Sequence, residues 1–247
     1  MPRVLKQILY GLLYLGVLAI IVWVFIPRNV EVATCIDGVQ NQNETEVDCG
    51  GSCEDCELKN LHLEVGGVDI LEVGERSSLL VKTENPSKNF GASEIPYKFE
   101  VKGTLGEPIE VVEGELNIGS GEEKYVAAVG LDIKASGIGE VIFSLGDFAF
   151  IPKVNLLDYD IEIENVEVSF PEQVIQARGL ITNDSGGGVS RVTLTALFYT
   201  KGGDLANVGT ALLSDLEAFE KRDFLISVPS NGLFIDPGQT EISWRII

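Results

Sequence analysis

The sequence predicts a mainly β protein, in which two antiparallel β-sandwiches follow an apolar N-terminal helix and a short cysteine-stapled neck. Three observations predict this fold class. The longest run without a charged residue lies near the N-terminus, between Ile8 and Ile26. All 4 cysteines follow it closely, from Cys35 to Cys56. From Leu61 onward the chain of 247 residues consists of short β-branched runs separated by Gly, Asn and Pro, which is typical of small antiparallel sandwiches.

The run at residues 8–26 predicts a single transmembrane helix. A membrane helix needs roughly 20 consecutive apolar residues to cross about 30 Å of hydrocarbon, and this run is rich in Leu, Ile and Val. Tyr10, Tyr14 and Trp23 lie near its two ends, where amphipathic rings favour the membrane interfaces. Pro27 then ends the helix. The lipid bilayer is therefore one predicted partner, contacted through residues 8–26.

The charges beside this run predict its orientation. Arg3 and Lys6 precede it, whereas Arg28 is soon followed by Glu31, and basic residues favour the cytoplasmic side. We expect residues 1–7 in the cytoplasm and the rest outside it, in a single-pass protein of the cell membrane. A cleaved signal peptide is the alternative, but no small-x-small cleavage site follows the run.

The neck, residues 27–60, contains all the cysteines, at Cys35, Cys49, Cys53 and Cys56. Outside the cytoplasm this density predicts two disulfides, and the spacing leaves all three pairings open. Zinc is the alternative for a reduced segment. The Cys-x-x-x-Cys and Cys-x-x-Cys spacings share a cysteine, however, and so do not form two separate ligand pairs.

The neck also carries a cluster of oxygen ligands, at Asp37, Asn41, Asn43, Glu44 and Asp48. Calcium takes about six to eight oxygens, so this loop is a candidate calcium site. The spacing is not that of an EF-hand loop, and a solvated polar loop is the alternative. No other cofactor is expected.

A resemblance in the neck adds a broader expectation. Its residues read Cys35-Ile-Asp-Gly-Val-Gln-Asn41, then Glu44-Thr45, then Val47-Asp-Cys-Gly-Gly-Ser-Cys-Glu-Asp-Cys56. This pattern resembles a short cysteine motif of bacterial and archaeal surface proteins, in which Gly is customary at the position of Gln42. The motif precedes many different modules, so the resemblance implies an exported surface protein and no particular activity.

The remaining chain predicts two β modules, at residues 61–152 and 158–247, joined by a short linker. Several strand candidates alternate apolar and polar residues, the period of a sheet with one buried face. In the first module they are Ser78–Thr83, Tyr97–Val101, Ile109–Val112, Lys124–Val129 and Glu140–Leu145. In the second module they are Ile161–Val168, Val174–Ile181, Val189–Tyr199, Phe224–Val228 and Glu241–Ile246.

The second module resembles the FxLYD-type and related immunoglobulin-like domains of prokaryotic envelope proteins. The resemblance rests on Gly179-Leu-Ile-Thr-Asn183, Val192-Thr-Leu-Thr-Ala-Leu-Phe-Tyr199 and Lys201-Gly-Gly203. Thr200 stands where that family carries a small acidic residue. The resemblance implies an immunoglobulin-like sandwich, and no functional residues are carried over with it.

A weaker match to the same sequence pattern occurs in the first module, at Val81-Lys-Thr-Glu-Asn85. We therefore expect both modules to be immunoglobulin-like sandwiches and diverged copies of each other.

Composition excludes some partners and leaves function open. The net charge of -20 repels phosphate backbones, so no nucleic acid is expected as a partner. The only histidine is His62, and Ser-His-Asp or Cys-His catalysis would depend on it. No catalytic residue is predicted.

We expect a non-enzymatic, membrane-anchored extracytoplasmic protein that acts as a structural or protein-interaction module, with another envelope protein as its partner. A calcium-binding surface module that uses the acidic neck is the alternative. An extracytoplasmic hydrolase is the third reading, and it would need a carboxylate cleft that no residue spacing indicates.

Overall fold

The computed structural model describes residues 3–25, 35–41, 43–157, 159–230 and 232–246. These residues form two compact units, 1–60 and 61–247. The first unit contains a helix and the neck, and the second contains 13 strands. The described chain is therefore mainly β.

The first unit begins with helix α1, Arg3–Phe25. Among the described residues, no helix is both long enough and apolar enough to cross a membrane.

This finding contradicts the predicted transmembrane helix at residues 8–26 and the single-pass membrane location built on it. The cytoplasmic assignment of residues 1–7 and the bilayer contact through 8–26 lose their basis. Tyr10, Tyr14 and Trp23 are exposed on α1. Their predicted role at membrane interfaces depended on the transmembrane helix and loses its basis with it. Pro27, Arg28 and Glu31, which entered the same argument, lie outside the described residues.

The neck is closed by two disulfides, as predicted. Cys35 pairs with Cys53, and Cys49 pairs with Cys56. The first bond closes a separation of 18 residues and the second a separation of 7. Tertiary structure thus selects one of the three pairings that the spacing left open.

The first sandwich is built from seven strands in two antiparallel sheets. The sheets have the orders β1-β2-β5 and β4-β3-β6, and β7 pairs with the start of β3. The bounds are β1 Glu64–Val73, β2 Arg76–Glu84, β3 Phe90–Gly103, β4 Pro108–Ile118, β5 Glu123–Leu131, β6 Ile138–Leu145 and β7 Ile151–Pro152. The core between the sheets includes Leu79, Val81, Phe99, Leu116 and Val126.

The second sandwich repeats this arrangement with six strands. Its sheets have the orders β12-β9-β8 and β11-β10-β13. The bounds are β8 Ile161–Ser169, β9 Val174–Asn183, β10 Val189–Tyr199, β11 Leu205–Leu216, β12 Lys221–Pro229 and β13 Glu241–Ile246. Three short 3₁₀ turns lie in connections of the second unit, at Ala135–Gly137, Lys153–Asn155 and Pro237–Gln239. The second core includes Ile175, Ile181, Leu194, Phe198 and Ile226.

The two sandwiches share a buried asparagine with equivalent hydrogen bonds, as well as a strand order. Asn85 follows β2 and Asn183 ends β9, and both are fully buried. The backbone N–H of Asn85 donates to the carbonyl of Glu122 at 2.9 Å, and that of Asn183 donates to Glu220 at 2.9 Å. Each of these glutamates accepts, at 2.7 Å, the backbone N–H three residues before it. This correspondence supports the expectation that the modules are diverged copies.

The two sandwiches also pack against each other through a third apolar cluster. Leu80, Leu197 and Val208 are buried in it, although their strand neighbours face the separate cores. The central strands β2 and β10 are therefore buried on both faces. This explains why Leu79-Leu-Val81 of β2 and Ala196-Leu-Phe198 of β10 interrupt the alternation of apolar and polar residues.

Candidate functional site

A groove lies where β13 of the second sandwich meets β4 and β5 of the first. Its larger cavity has a volume of ≈ 610 Å³, within the size range of binding pockets. The apolar lining includes Ile118, Ile151, Leu156, Leu157, Trp244 and Ile246. The charged lining consists of Glu94, Glu115, Glu122, Lys124 and Lys153. We call this cavity, with the smaller one beside it, the seam groove.

Asn117 ties the two walls of the seam groove together. Its Oδ1 accepts the backbone N–H of Glu94 at 2.6 Å, and its Nδ2 donates to the carbonyl of Ile246 at 3.0 Å. Ile246 belongs to β13 of the second sandwich, so one amide side chain fixes the end of that strand against the first sandwich.

Arg245 makes a second connection between the same walls. Its guanidinium lies 5.2 Å from the ring centroid of Tyr97, and Nη1 donates to the carbonyl of Glu115 at 3.4 Å. Arg245 is only 7% exposed, and its buried Nε has no hydrogen-bond partner. A buried cation held by a ring and a carbonyl is costly to move, which favours a fixed geometry between the two sandwiches.

Lys124 is the most unusual side chain of the seam groove. It shares the buried face of β5 with Val126, and it is only 6% exposed. Its Nζ lies 3.3 Å from a carboxylate oxygen of Glu122 and 3.7 Å from the ring centroid of Trp244. Burial lowers the pKa of Lys124, and the charge and hydrogen bond of Glu122 oppose that change. The groove thus already holds one ammonium group against an aromatic ring and a carboxylate.

The smaller cavity, of ≈ 480 Å³, continues the seam groove along β5 and β13 and shares Glu122, Lys124 and Trp244 with the larger one. Tyr125 and Glu241 also line it. Glu241 interacts with Tyr199, whose pKa burial and the Glu241 charge raise to about 12. Burial likewise raises the pKa of Tyr125.

The exposed rim of the seam groove carries an excess of negative charge. Glu94, Glu115 and Glu241 are exposed, and none of them belongs to an ion pair among the described residues. The cations of the lining are Lys124, which is paired with a carboxylate, and Lys153.

The sequence analysis did not identify this site. One sequence signal pointed to Lys124. Side chains two residues apart in a strand lie on the same face of the sheet, so Lys124 shares the buried face of its predicted strand with Val126. Asn117 lies near Lys124 in the chain, but Trp244 and Ile246 belong to a distant strand. Only packing between the two sandwiches brings them together.

The structure places the predicted calcium ligands in the neck, where the carboxylates of Asp37, Glu44 and Asp48 accept hydrogen bonds from the protein. Asp48 accepts the backbone N–H groups of Asp37 and Gly38 at 2.9 and 3.0 Å. The buried Glu44 accepts the backbone N–H groups of Asn41 and Asp48 at 3.0 and 3.3 Å.

The other two predicted ligands occupy different surroundings. The Nδ2 of Asn41 donates to Asp37 at 3.0 Å, and its Oδ1 is buried without a partner. Asn43 is exposed and adopts a positive φ of 75°, which suits a turn. The carboxylates here act as turn caps, and calcium binding stays a prediction.

Two groups of neck residues bring sulfur and carboxylate atoms within 4.8 Å of one another, Cys35 with Glu44 and Cys53, and Glu46 with Cys49 and Cys56. In each group the two sulfurs are joined to each other in a disulfide. Metal binding by cysteine requires a thiolate, so neither group offers the zinc ligands considered from the sequence.

Comparison with known proteins adds little to this description. No family model matches the chain. No curated protein matches it either. Among solved structures, it is similar to a transglutaminase from red sea bream, with 9% sequence identity and a TM-score of 0.22 over 75% of this chain. The match spans 31% of that structure, and a similarity this weak supports no conclusion on function.

Proposed function

We propose that the chain is a non-enzymatic interaction module that binds another protein through the seam groove. The observation that carries this proposal is the fixed packing of the two sandwiches around a shared apolar cluster. The groove walls come from different sandwiches, and they are held by Asn117, Arg245 and the Lys124–Trp244 contact. A preformed surface loses less conformational entropy when it binds.

The lining of the seam groove also bears on the type of function. The described lining contains no histidine and no cysteine. Lys124 and Glu122 are paired with each other, and Glu122 also caps the backbone N–H of Gly119 at 2.7 Å. These groups are engaged in holding the groove together. We therefore do not propose a hydrolytic role.

Site-specific photo-cross-linking in the native cells tests this proposal. A photoreactive amino acid at position 94 would lie on the rim of the seam groove, and one at position 162 would lie on exposed β8 outside the groove lining. We expect a discrete protein adduct from position 94 and none from position 162. The absence of adducts at 94, or equal adducts at both positions, would contradict binding at the groove.

A further inference from the structure

We infer that the seam groove takes an extended, basic protein segment, with Lys or Arg side chains at the acidic rim and apolar side chains over Trp244. This inference rests on the proposed interaction function and names the chemistry of the partner. It depends on the charge of the rim, the apolar lining and the position of two sheet edges.

The charge of the groove selects a cation. Glu94 and Glu115 border the larger cavity and Glu241 borders the smaller one, while the whole chain carries -20. A net negative field attracts basic partners and repels acidic ones, including a second copy of this chain. The Lys124 ammonium over the Trp244 ring, at 3.7 Å, shows within the molecule that this surface accommodates a cation.

The apolar part of the groove requires a partner that also carries hydrophobic side chains. Trp244 and Ile246 are half-buried, and Leu157 is 79% exposed. A purely polar polycation would leave these side chains in contact with water. A segment that alternates basic and apolar residues matches both kinds of surface, because successive side chains of an extended chain point to opposite sides.

Two sheet edges border the groove and favour an extended conformation. β5 and β13 are each the last strand of their sheet. Both strands line the seam groove, β5 through Lys124 and β13 through Trp244 and Ile246. Uncovered edge groups are hydrogen-bonding partners for an added strand.

Peptide binding to the full chain tests this inference, with Trp244 as the reporter. The chain has 2 tryptophans, so Trp23→Phe leaves Trp244 as the only indole. The probes are three capped hexapeptides in which Leu alternates with Lys, Ser or Glu. We expect the Lys peptide to change Trp244 fluorescence in a saturable way. Its affinity should fall in 0.5 M salt, because a Debye length of roughly a few Å screens the attraction between exposed charges. The Glu peptide should not bind.

Paired variants locate the interaction. Glu94→Gln with Glu115→Gln should weaken binding of the Lys peptide by about three- to tenfold, the range of two exposed ion pairs. Glu72→Gln with Glu162→Gln removes the same charge from exposed positions outside the groove, and should leave the affinity within about twofold. Thermal melting of each variant checks that it is folded.

Several results would overturn the inference. Equal weakening by both pairs of variants would show that only net charge matters. Equal, salt-insensitive binding of the Ser peptide would point to an apolar ligand. Self-association that is lost in the Glu94→Gln, Glu115→Gln variant would identify a second copy as the occupant. If position 94 cross-links to a partner while the Lys peptide does not bind, the interaction function stands and the basic chemistry is refuted.

Discussion

Asn183 offers a sharp test of how the second sandwich is held together. It is fully buried at the end of β9, and its Nδ2 lies within hydrogen-bond distance of three carbonyl oxygens. These belong to Gly187 at 2.9 Å, Leu216 at 3.3 Å and Glu217 at 2.9 Å. Its Oδ1 accepts the backbone N–H of Ser185 at 3.1 Å. One amide thus connects the loop after β9 with the end of β11.

Replacement by alanine removes all these hydrogen bonds and leaves a buried carbonyl without its partner. A single hydrogen bond contributes about 1 kcal/mol net, and an unsatisfied buried group costs about 1–3 kcal/mol. Water can reach the two partly buried carbonyls, so the contributions do not simply add. We expect Asn183→Ala to lower the free energy of unfolding by about 2–4 kcal/mol, a large share of the 5–15 kcal/mol of a typical domain.

Urea unfolding measures this change. Trp244 belongs to the second sandwich, so its fluorescence in the Trp23→Phe background reports unfolding of the relevant module. Asn155→Ala is the matched control, because Asn155 is exposed and most surface changes stay within about 0.5 kcal/mol. Asn85→Ala should cost a similar amount to Asn183→Ala, since the first sandwich contains the equivalent buried amide.

Asn183→Asp sharpens the test, because it keeps the size of the side chain and removes its N–H donors. A carboxylate facing three carbonyls should have a raised pKa in the folded state. The folded protein then binds more protons than the unfolded one, so the variant should regain stability as the pH falls toward the ordinary range of Asp. If Asn183→Ala unfolds within 0.5 kcal/mol of the wild type, roughly the surface-mutation range, the buried amide does not hold the module together.

Three further predictions concern the core, an interface group and the neck. Gly179→Ala should lower unfolding free energy by about 1–3 kcal/mol through overpacking, because its Cβ would lie 2.8 Å from a buried phenylalanine ring. Gly186→Ala, with no atom within 4 Å of the added Cβ, is the control, and equal urea midpoints would refute the packing argument. The pKa of Tyr199 is raised to about 12, so its contribution to stability is complete below its unfolded pKa near 10 and is lost as pH rises through about 12. Tyr199→Phe should flatten the decline of stability across that range, and an unchanged pH profile would contradict the assignment. Cys35→Ser with Cys53→Ser should make the neck more sensitive to limited proteolysis while the melting temperature of the β unit stays unchanged, because the neck belongs to a separate compact unit. A lowered melting temperature of the β unit would refute that independence.

The strands could be predicted from local patterns to a useful degree. The runs around Leu79, Phe99 and Val126 became core strands because their apolar residues alternate or lie on two buried faces. The short apolar runs Leu79-Leu-Val81 and Ala196-Leu-Phe198 are visible in the sequence. Their cause is not, since Leu80 and Leu197 are covered by the other sandwich.

The N-terminal helix shows the limit of composition as a guide. The apolar run at residues 8–26 indicates a span, but no helix of the described residues meets the length and apolarity that a span requires. In the neck, clustering predicted disulfides. Spacing did not choose Cys35–Cys53 and Cys49–Cys56, because pairing depends on which Cβ atoms the folded loop brings close together.

By itself, the sequence determined the β character, the disulfide-bonded neck and the excess of negative charge, because each depends on composition or on short-range periodicity. Only the tertiary structure decided the site. Trp244 lies far from both Asn117 and Lys124 in the chain, and it meets them because two copies of one strand arrangement pack through the outer faces of their sheets. Contacts of this kind depend on side chains that no local pattern connects, so the groove and its charge become visible only once the two sandwiches are in place.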